Sequence, residues 1–383
     1  MKLLILGAGM MGKGVAFDFA KQEDVSSIIL ADLDIKRAEC IREEIGSEKI
    51  TPVEFNANDK ESVRRIMQGC SVAVGATSYD HNILYSNVAI ESGCHFIDLG
   101  GNHDVVDEQF TFSDRAKAAG VTLIPDCGLA PGLVNILAGR AMKMFDEVDS
   151  IKIRVGGIPV NPQPPLNYFL VFSARGLINE YIEKARIIEN GKIKEVESLD
   201  GLEELHFQDP FCKMEAFYTS GGISTMTKTL AGKLKNLDYK TIRYPNHQHY
   251  IKFLVDLGLT ASEKIKVDDC EVAPRRVLEN LLETYLKADD HDAILLRVTA
   301  DGSSKGSRVI FTQETIDFFD KENNLTAMMR MTAFPAAILA LMLARGVIKE
   351  RGVLYQELST PFEEFFKELE RRNINITVRK QQV

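Results

Sequence analysis

Over roughly its first 125 residues the chain alternates short, unbroken apolar runs with amphipathic stretches, the signature of strands joined by helices. The runs Lys2–Leu6, Ser27–Ala31, Thr51–Phe55, Val72–Gly75, His95–Leu99 and Thr122–Pro125 predict six strands. Because most of them are continuous apolar runs instead of alternating, they predict burial on both faces of a parallel sheet. Helical spacing fills the gaps at Met10–Gln22, Ile35–Ile45, Lys60–Gln68, His81–Ser92 and Val105–Ala119. Six such strands make a complete doubly wound α/β domain.

Past Pro125 the pattern changes. A helix is predicted from Pro131 to Phe145, followed by longer, alternating segments at Ser150–Val155, Ala293–Ala300 and Ser307–Phe319, with a turn at Lys321–Asn324. Ile187–Glu189 and Ile193–Val196 flank Asn190-Gly191, a strong hairpin signal. These features predict an α+β domain on a mainly antiparallel sheet. The apolar stretch Met331–Arg345 predicts a helix that returns to the first domain, which makes the second an insertion. The expected division is 1–128, completed by about 325–350, then an inserted domain at 129–324 and a tail segment at 351–383.

Composition narrows the class. The chain has 383 residues, 45% of them hydrophobic and 26% charged, which suits a soluble globular protein of two domains. A net charge of -9 argues against nucleic acid or an anionic membrane as partner. The six cysteines are scattered and lack a C-x-x-C pair, so free thiols in a reducing cytoplasm are expected and a zinc site is not. Met1–Leu6 runs straight into glycines and reads as a strand, not a secretory leader. Arg330, Pro335 and Arg345 interrupt the apolar segment Ala327–Ile348, which therefore reads as a buried helix and not as a membrane span.

The first chemistry lies at Gly7-Ala8-Gly9-Met10-Met11-Gly12. This Gly-x-Gly-x-x-Gly follows one predicted strand, opens a helix, and precedes an acidic residue, Asp32, at the end of the next strand. Gly7 permits the tight turn, Gly9 lets the backbone approach a pyrophosphate, and Gly12 lets helix and strand pack closely. The helix start at Met10 and Met11 offers N–H groups to phosphate. Asp32 would accept from ribose hydroxyls and repel a 2′-phosphate, which favours NAD over NADP. Residues 1–128 thus read as a Rossmann dinucleotide-binding domain. By topology, Asn58 and Asp59 flank the adenine, while Ala76, Thr77 and Gly100 run towards the nicotinamide.

Two acids sit at strand ends. Asp98 is a candidate proton acceptor or a simple turn cap. Asp126 lies in Pro125–Gly132, a turn-rich segment expected where the domains meet, and is the first candidate for general base. Its neighbour Cys127 reads as packing. In the inserted domain, Lys240–His247 places Arg243 and His247 at a predicted strand end, where an arginine could hold a carboxylate in bidentate fashion or simply be solvated. His247 and His249 are spaced as metal ligands on a strand can be, yet no third ligand is near, so no metal is expected. Asn161–Tyr168 must be a loop, and Glu215–Gly222 offers hydroxyls, Thr219 among them, ahead of a helix start.

Taken together, GAGMMG, Phe96–Gly101, Pro125–Gly132, Gly156–Tyr168, Glu215–Gly222 and Lys240–His247 resemble the saccharopine dehydrogenase-like family, and within it the lysine 6-dehydrogenases. The resemblance spans nearly the whole chain. It implies NAD-dependent oxidation of the ε-amino carbon of L-lysine, with loss of ammonia to give allysine or 1-piperideine-6-carboxylate, by a homodimer that dimerises through the inserted domain. It also implies Arg243, Tyr168, Thr219 and His247 around the amino-acid substrate, Asp126 or Asp98 as base, and Gly where Asn246 stands. A saccharopine-forming or carboxynorspermidine-type reductase is the alternative on the same fold, with Arg154, Arg175 and Arg297 as possible second carboxylate anchors. A non-catalytic NAD-binding regulator is the alternative of another class.

Overall fold

A computed structural model describes residues 1–171, 173–286 and 291–382. It divides into two units, one of Met1–Lys143 with Met329–Asn375, the other of Met144–Met328 with Ile376–Val383.

In the first unit β1 (Lys2–Leu6), β2 (Ser27–Asp32), β3 (Ile50–Glu54), β4 (Val72–Gly75), β5 (His95–Asp98) and β6 (Thr122–Ile124) form one parallel sheet. Its order is β6-β5-β4-β1-β2-β3, extended beyond β6 by the short strand Gly352–Val353. The order reverses between β1 and β4, and a ligand crevice opens at such a switch point. β1 and β4 are almost wholly buried, which is why their sequences carry no alternation. The predicted helix at Val105–Ala119 is two helices, His103–Thr111 and Ser113–Ala118.

Helix Ala327–Ala344 packs on helix Met10–Ala20. A Cβ on Gly14 would lie 2.7 Å from the Cβ of Ala333, and Phe17 stacks on Phe334 at 6.3 Å. Ala327–Ala344 is long and apolar enough to cross a membrane, and 83% of it is buried inside the protein. The first 25 residues of the expected tail, 351–375, belong to the first unit. Arg372 grips Asp18 at 2.6 and 2.9 Å where both side chains are buried, so this segment is an integral part of the fold. Helix Leu133–Met142 also belongs here, which moves the boundary from 128 to 143.

The second unit is built on β7 (Glu147–Pro159), β8 (Ala185–Glu189), β9 (Lys192–Val196), β10 (Glu203–His206), β11 (Lys213–Tyr218) and β12 (Asn236–Arg243). A separate small hairpin follows as β13 (Ile265–Val267) and β14 (Cys270–Val272), and then β15 (Asp292–Ser304) and β16 (Ser307–Phe318). The main sheet runs β10-β11-β12-β7-β15-β16, with β8 and β9 attached to β12 and Thr377–Gln382 pairing with β16. All its pairs are antiparallel except β12 on β7. Helix Ala327–Ala344 begins at this unit, where both carboxylate oxygens of Asp292 cap it, accepting from the N–H of Ala327 at 2.7 Å and of Met328 at 2.8 Å.

Candidate functional site

The glycine turn leaves β1 with a φ of +112° at Gly7, where an added Cβ would meet the carbonyl of Ala76 at 2.7 Å. At Gly12 a Cβ would sit 1.9 Å from the Gly7 carbonyl, so the helix start is pressed against the turn. Gly9 differs. Its φ is -85° and nothing lies within 4 Å of a Cβ built there, so the fold itself has no need of glycine. A side chain at Gly9 would enter the space a pyrophosphate takes in front of the helix N-terminus. Asp32 closes the mouth of the turn, its Oδ2 accepting from the Ala8 N–H at 2.7 Å. This cradle fits a dinucleotide.

Other residues assigned to the cofactor have local duties. Asp59 caps helix Lys60–Met67 by accepting from the Glu61 N–H at 3.0 Å, and the Asn58 N–H donates to Asn56 Oδ1. Thr77 Oγ1 donates to Tyr85 Oη at 3.2 Å. Met10 is exposed at the helix start.

Asp98, Gly100 and Asp126 come together beyond β5. Asp98 is fully buried, and its carboxylate accepts from Gly100 N–H at 2.8 Å, Asp126 N–H at 3.2 Å and Gln109 Nε2 at 2.7 Å. Burial pushes its pKa up while these three donors pull it down. A carboxylate so engaged is a structural strap, which corrects its assignment as a base. Asp126 takes a φ of +62°, and its Oδ1 would touch a Cβ on Gly100 at 1.8 Å, so Gly100 makes room for this side chain. Burial beside Asp98 and Asp126 drives the Cys127 thiol well above its ordinary value, as a packing residue requires.

In the second unit, the predicted residues Arg243, Tyr168 and His247 do meet. Arg243 ends β12, is 3% exposed, and holds its guanidinium 4.7 Å over the ring of Tyr168. Its Nη1 donates to the Ile242 carbonyl at 2.9 Å and its Nε to Tyr181 Oη at 3.1 Å. His247 Nδ1 lies 3.1 Å from the Leu166 carbonyl, so Nδ1 carries the proton. Its Nε2, 3.0 Å from Tyr181 Oη, must then accept from that hydroxyl. The result is a one-way relay, from guanidinium to phenol to imidazole to carbonyl, that orients Arg243. Burial and the Arg243 charge push the His247 pKa down to about 3, so the ring is neutral.

The relay also makes corrections. Both ring nitrogens of His247 are engaged, so it positions Arg243 and does not bind substrate through nitrogen. His247 and His249 lie on helix His247–Asp256, not on a strand, and two residues apart on a helix face different ways. Among the described residues no group of three His, Cys, Asp or Glu could hold a metal. Thr219 Oγ1 is paired with Thr241 Oγ1 at 2.7 Å, and Glu215–Tyr218 is part of β11 and not a helix approach. Arg154 pairs with Glu203 and Asp238, and Arg297 with Glu314, so neither is a spare anchor; Arg175 is exposed. Asn246 takes a φ of +74°, a left-handed turn that favours glycine and that asparagine tolerates best among the rest.

Tyr181 and Glu180, both on helix Ala174–Ile182, were missed from sequence. Burial pushes the Glu180 carboxyl up to about 7, against the pull of Arg243 and with the push of Glu183. Burial works against the charge of Arg243, yet Tyr181, Tyr168 and Glu180 hold it above its ordinary pKa. Among the described residues Arg243 forms no ion pair, and its Nη2 makes no hydrogen bond.

Residues 128–374 match the saccharopine dehydrogenase C-terminal domain, and residues 3–124 the saccharopine dehydrogenase NADP binding domain. The chain belongs to the saccharopine dehydrogenase family. Within the family it is similar to carboxyaminopropylagmatine dehydrogenase of Synechocystis, 22% identical over 94% of this chain and 93% of that protein. It is also similar to carboxynorspermidine synthase of Vibrio cholerae, 25% identical over the same shares. Saccharopine dehydrogenase (L-Glu forming) from Saccharomyces cerevisiae has the same fold, with a TM-score of 0.83 at 18% identity over 99% of each chain.

Proposed function

We propose that this family member is an NAD-dependent oxidoreductase that makes or breaks the carbon–nitrogen bond of an amine carrying one carboxylate. The observation that carries the reading is Arg243, a buried guanidinium with an unused Nη2 and no ion pair among the described residues. A buried charge without a partner is costly, and a substrate carboxylate supplies one. Arg154 and Arg297 are neutralised by protein carboxylates, so of these three arginines Arg243 alone is left as an anchor, which suits a monocarboxylate better than saccharopine. Asp32 at the cradle supports NAD over NADP, by repulsion of a 2′-phosphate.

Two directions fit. In the first, an amine condenses with a carboxylated aldehyde and the imine carbon takes a hydride, which gives a secondary amine of the carboxynorspermidine type. The two relatives matched over 94% of the chain support it. In the second, L-lysine is deaminated at its ε-carbon, which the sequence resemblance supports and the single anchor allows. A bound nicotinamide dinucleotide supplies hydride acceptance or donation in either case. The protein's part is to hold the carboxylate on Arg243 and to move a proton at the nitrogen. Asp126 is the carboxylate we assign to that proton. The homodimer remains a proposal, to be read by sedimentation.

One set of assays decides. Reduction of NAD with L-lysine alone supports deamination. Oxidation of NADH only with 1,3-diaminopropane or agmatine plus L-aspartate 4-semialdehyde supports condensation. Tight NAD binding with no turnover in either direction overturns the enzyme reading in favour of a regulator. Asp126→Asn is expected to abolish turnover with NAD binding intact; unchanged turnover removes its role.

A further inference from the structure

Asp126 stands on a backbone that residues other than glycine adopt reluctantly. Its φ of +62° persists only where the surroundings hold it. One side is held from β5. The Asp126 N–H donates to Asp98 Oδ1 at 3.2 Å, and the Cys127 N–H to the Asp98 carbonyl at 2.6 Å. The other side is held by Gln356, 230 residues further along the chain. Its Nε2 donates to the Asp126 carbonyl at 2.6 Å and to the Pro125 carbonyl at 2.9 Å. Both neighbours are acceptors, so the amide can face them only with its NH2 group.

Gln356 is itself fixed by the residues on either side of it. The ring of Tyr355 stacks on Phe110 with centroids 4.1 Å apart, on the helix that also carries Gln109. Glu357 accepts from Asn135 Nδ2 at 3.3 Å, and a Cβ added to Gly139 would run into the Glu357 carbonyl. Three consecutive residues thus reach three neighbours, and the middle one carries the Asp126 turn. The Oε1 of Gln356 is buried with no partner among the described residues. An apolar side chain of the same length would not bear that cost, so what the amide supplies is its hold on the two carbonyls.

We propose that Gln356 is a positioning residue for Asp126: its amide fixes the carbonyl side of the left-handed turn, and with it the direction of the carboxylate. The inference rests on the reading of Asp126 as the group that moves the proton, and adds the residue that keeps it in place. Without that hold the Asp126 backbone relaxes towards negative φ, and the carboxylate leaves the space that Gly100 makes for it.

The test uses the full-length protein in the two assays above, L-lysine with NAD, and 1,3-diaminopropane or agmatine plus L-aspartate 4-semialdehyde with NADH. Gln356→Met keeps the length and removes the donor. It is expected to lower kcat about tenfold or more and to leave the KM for the dinucleotide unchanged. Gln356→Glu is the rescue, because a protonated carboxyl still donates one hydrogen bond and an ionised one repels both carbonyls. Its kcat/KM relative to wild type should fall as pH rises, while the ratio for Gln356→Met stays low throughout. A loss of stability alone would lower both ratios without that pH dependence. If circular dichroism shows that Gln356→Met does not fold, the pH dependence of Gln356→Glu decides. Wild-type kcat in Gln356→Met, or a flat ratio for Gln356→Glu, overturns the positioning role and leaves Asp126 standing if Asp126→Asn is inactive. Turnover retained by Asp126→Asn, or none by the wild type in either assay, overturns the reading of Asp126 and the role of Gln356 with it.

Discussion

Gln109 Nε2 donates to Asp98 Oδ2 over 2.7 Å, and neither residue has any exposure to solvent. Gln109 also donates to Ser86 Oγ at 3.0 Å, so one amide straps β5 to helix Asn82–Ser92. Gln109→Leu would leave the buried carboxylate short of a donor, at a cost of about 2–4 kcal/mol. Urea unfolding should show that loss. Asp98→Asn, which keeps shape but changes an acceptor into a donor, should lose stability before it loses chemistry. A variant of wild-type stability and no turnover would return Asp98 to the list of bases.

The two ends of the glycine turn should separate fold from ligand. Gly12→Ala places a Cβ 1.9 Å from the Gly7 carbonyl and is expected to destabilise the protein by more than about 3 kcal/mol. Gly9→Ala meets nothing within 4 Å and should leave the melting temperature nearly unchanged while weakening NAD at least tenfold. Fluorescence titration with NADH reads the second effect. Full NADH affinity in Gly9→Ala would contradict the placement of the phosphates.

Tyr181→Phe removes the hydroxyl that accepts from Arg243 and donates to His247. The buried guanidinium then loses one fixed contact and can turn. The KM for the carboxylate substrate should rise about tenfold, with kcat changed much less, because the tyrosine orients the anchor and does not touch the reacting nitrogen. An effect on kcat alone would argue for a direct role.

Acid should reveal His247 and Glu180 as opposing contributors. The unfolded chain takes up a proton on His247 below about 6.5 that the folded chain refuses until about 3, so its term lowers stability as pH falls through that window. Glu180 does the reverse. Folded, it keeps a proton up to about 7 that the unfolded chain releases above 4.5, so its term lowers stability as pH rises through that interval. Each slope is at most about 1.4 kcal/mol per pH unit. Between 4.5 and 6.5 they offset. Glu180→Gln should therefore lose stability more steeply than wild type as pH drops from 6.5 to 4.5, in urea midpoints taken across that range. Parallel curves would show that Glu180 has an ordinary pKa in the fold.

Much of the first unit was legible because its signals are local. β1 and β4 begin and end where their apolar runs do, and helix Ile35–Ile45 is bounded by Asp34, whose side chain accepts from the Lys36 N–H, and by left-handed Gly46. The glycine positions follow from φ and close approach, which the sequence alone implies. The second unit was less legible. Helices Ala174–Ile182, His247–Asp256 and Pro274–Tyr285 went unpredicted, although Pro274 at a helix start and Leu278, Leu281, Leu282 and Tyr285 at helical spacing were a readable signal for the last of them. Tyr181 takes its role from Arg243, about sixty residues on, and no local pattern reports a partner at that distance. His247 was singled out for the right neighbourhood and the wrong task, because a spacing does not say which ring nitrogens are already spoken for.

The backbone passes between the two units three times, after Lys143, Met328 and Asn375. Neither unit is therefore a cuttable stretch of gene. A fragment ending near residue 143 lacks Gly352–Val353 and the helix that covers Gly14, and a fragment of 144–328 lacks the outermost strand beside β16. A single stop codon near residue 350 injures both sheets at once, so the last thirty-odd residues are the ones a truncation series can least spare.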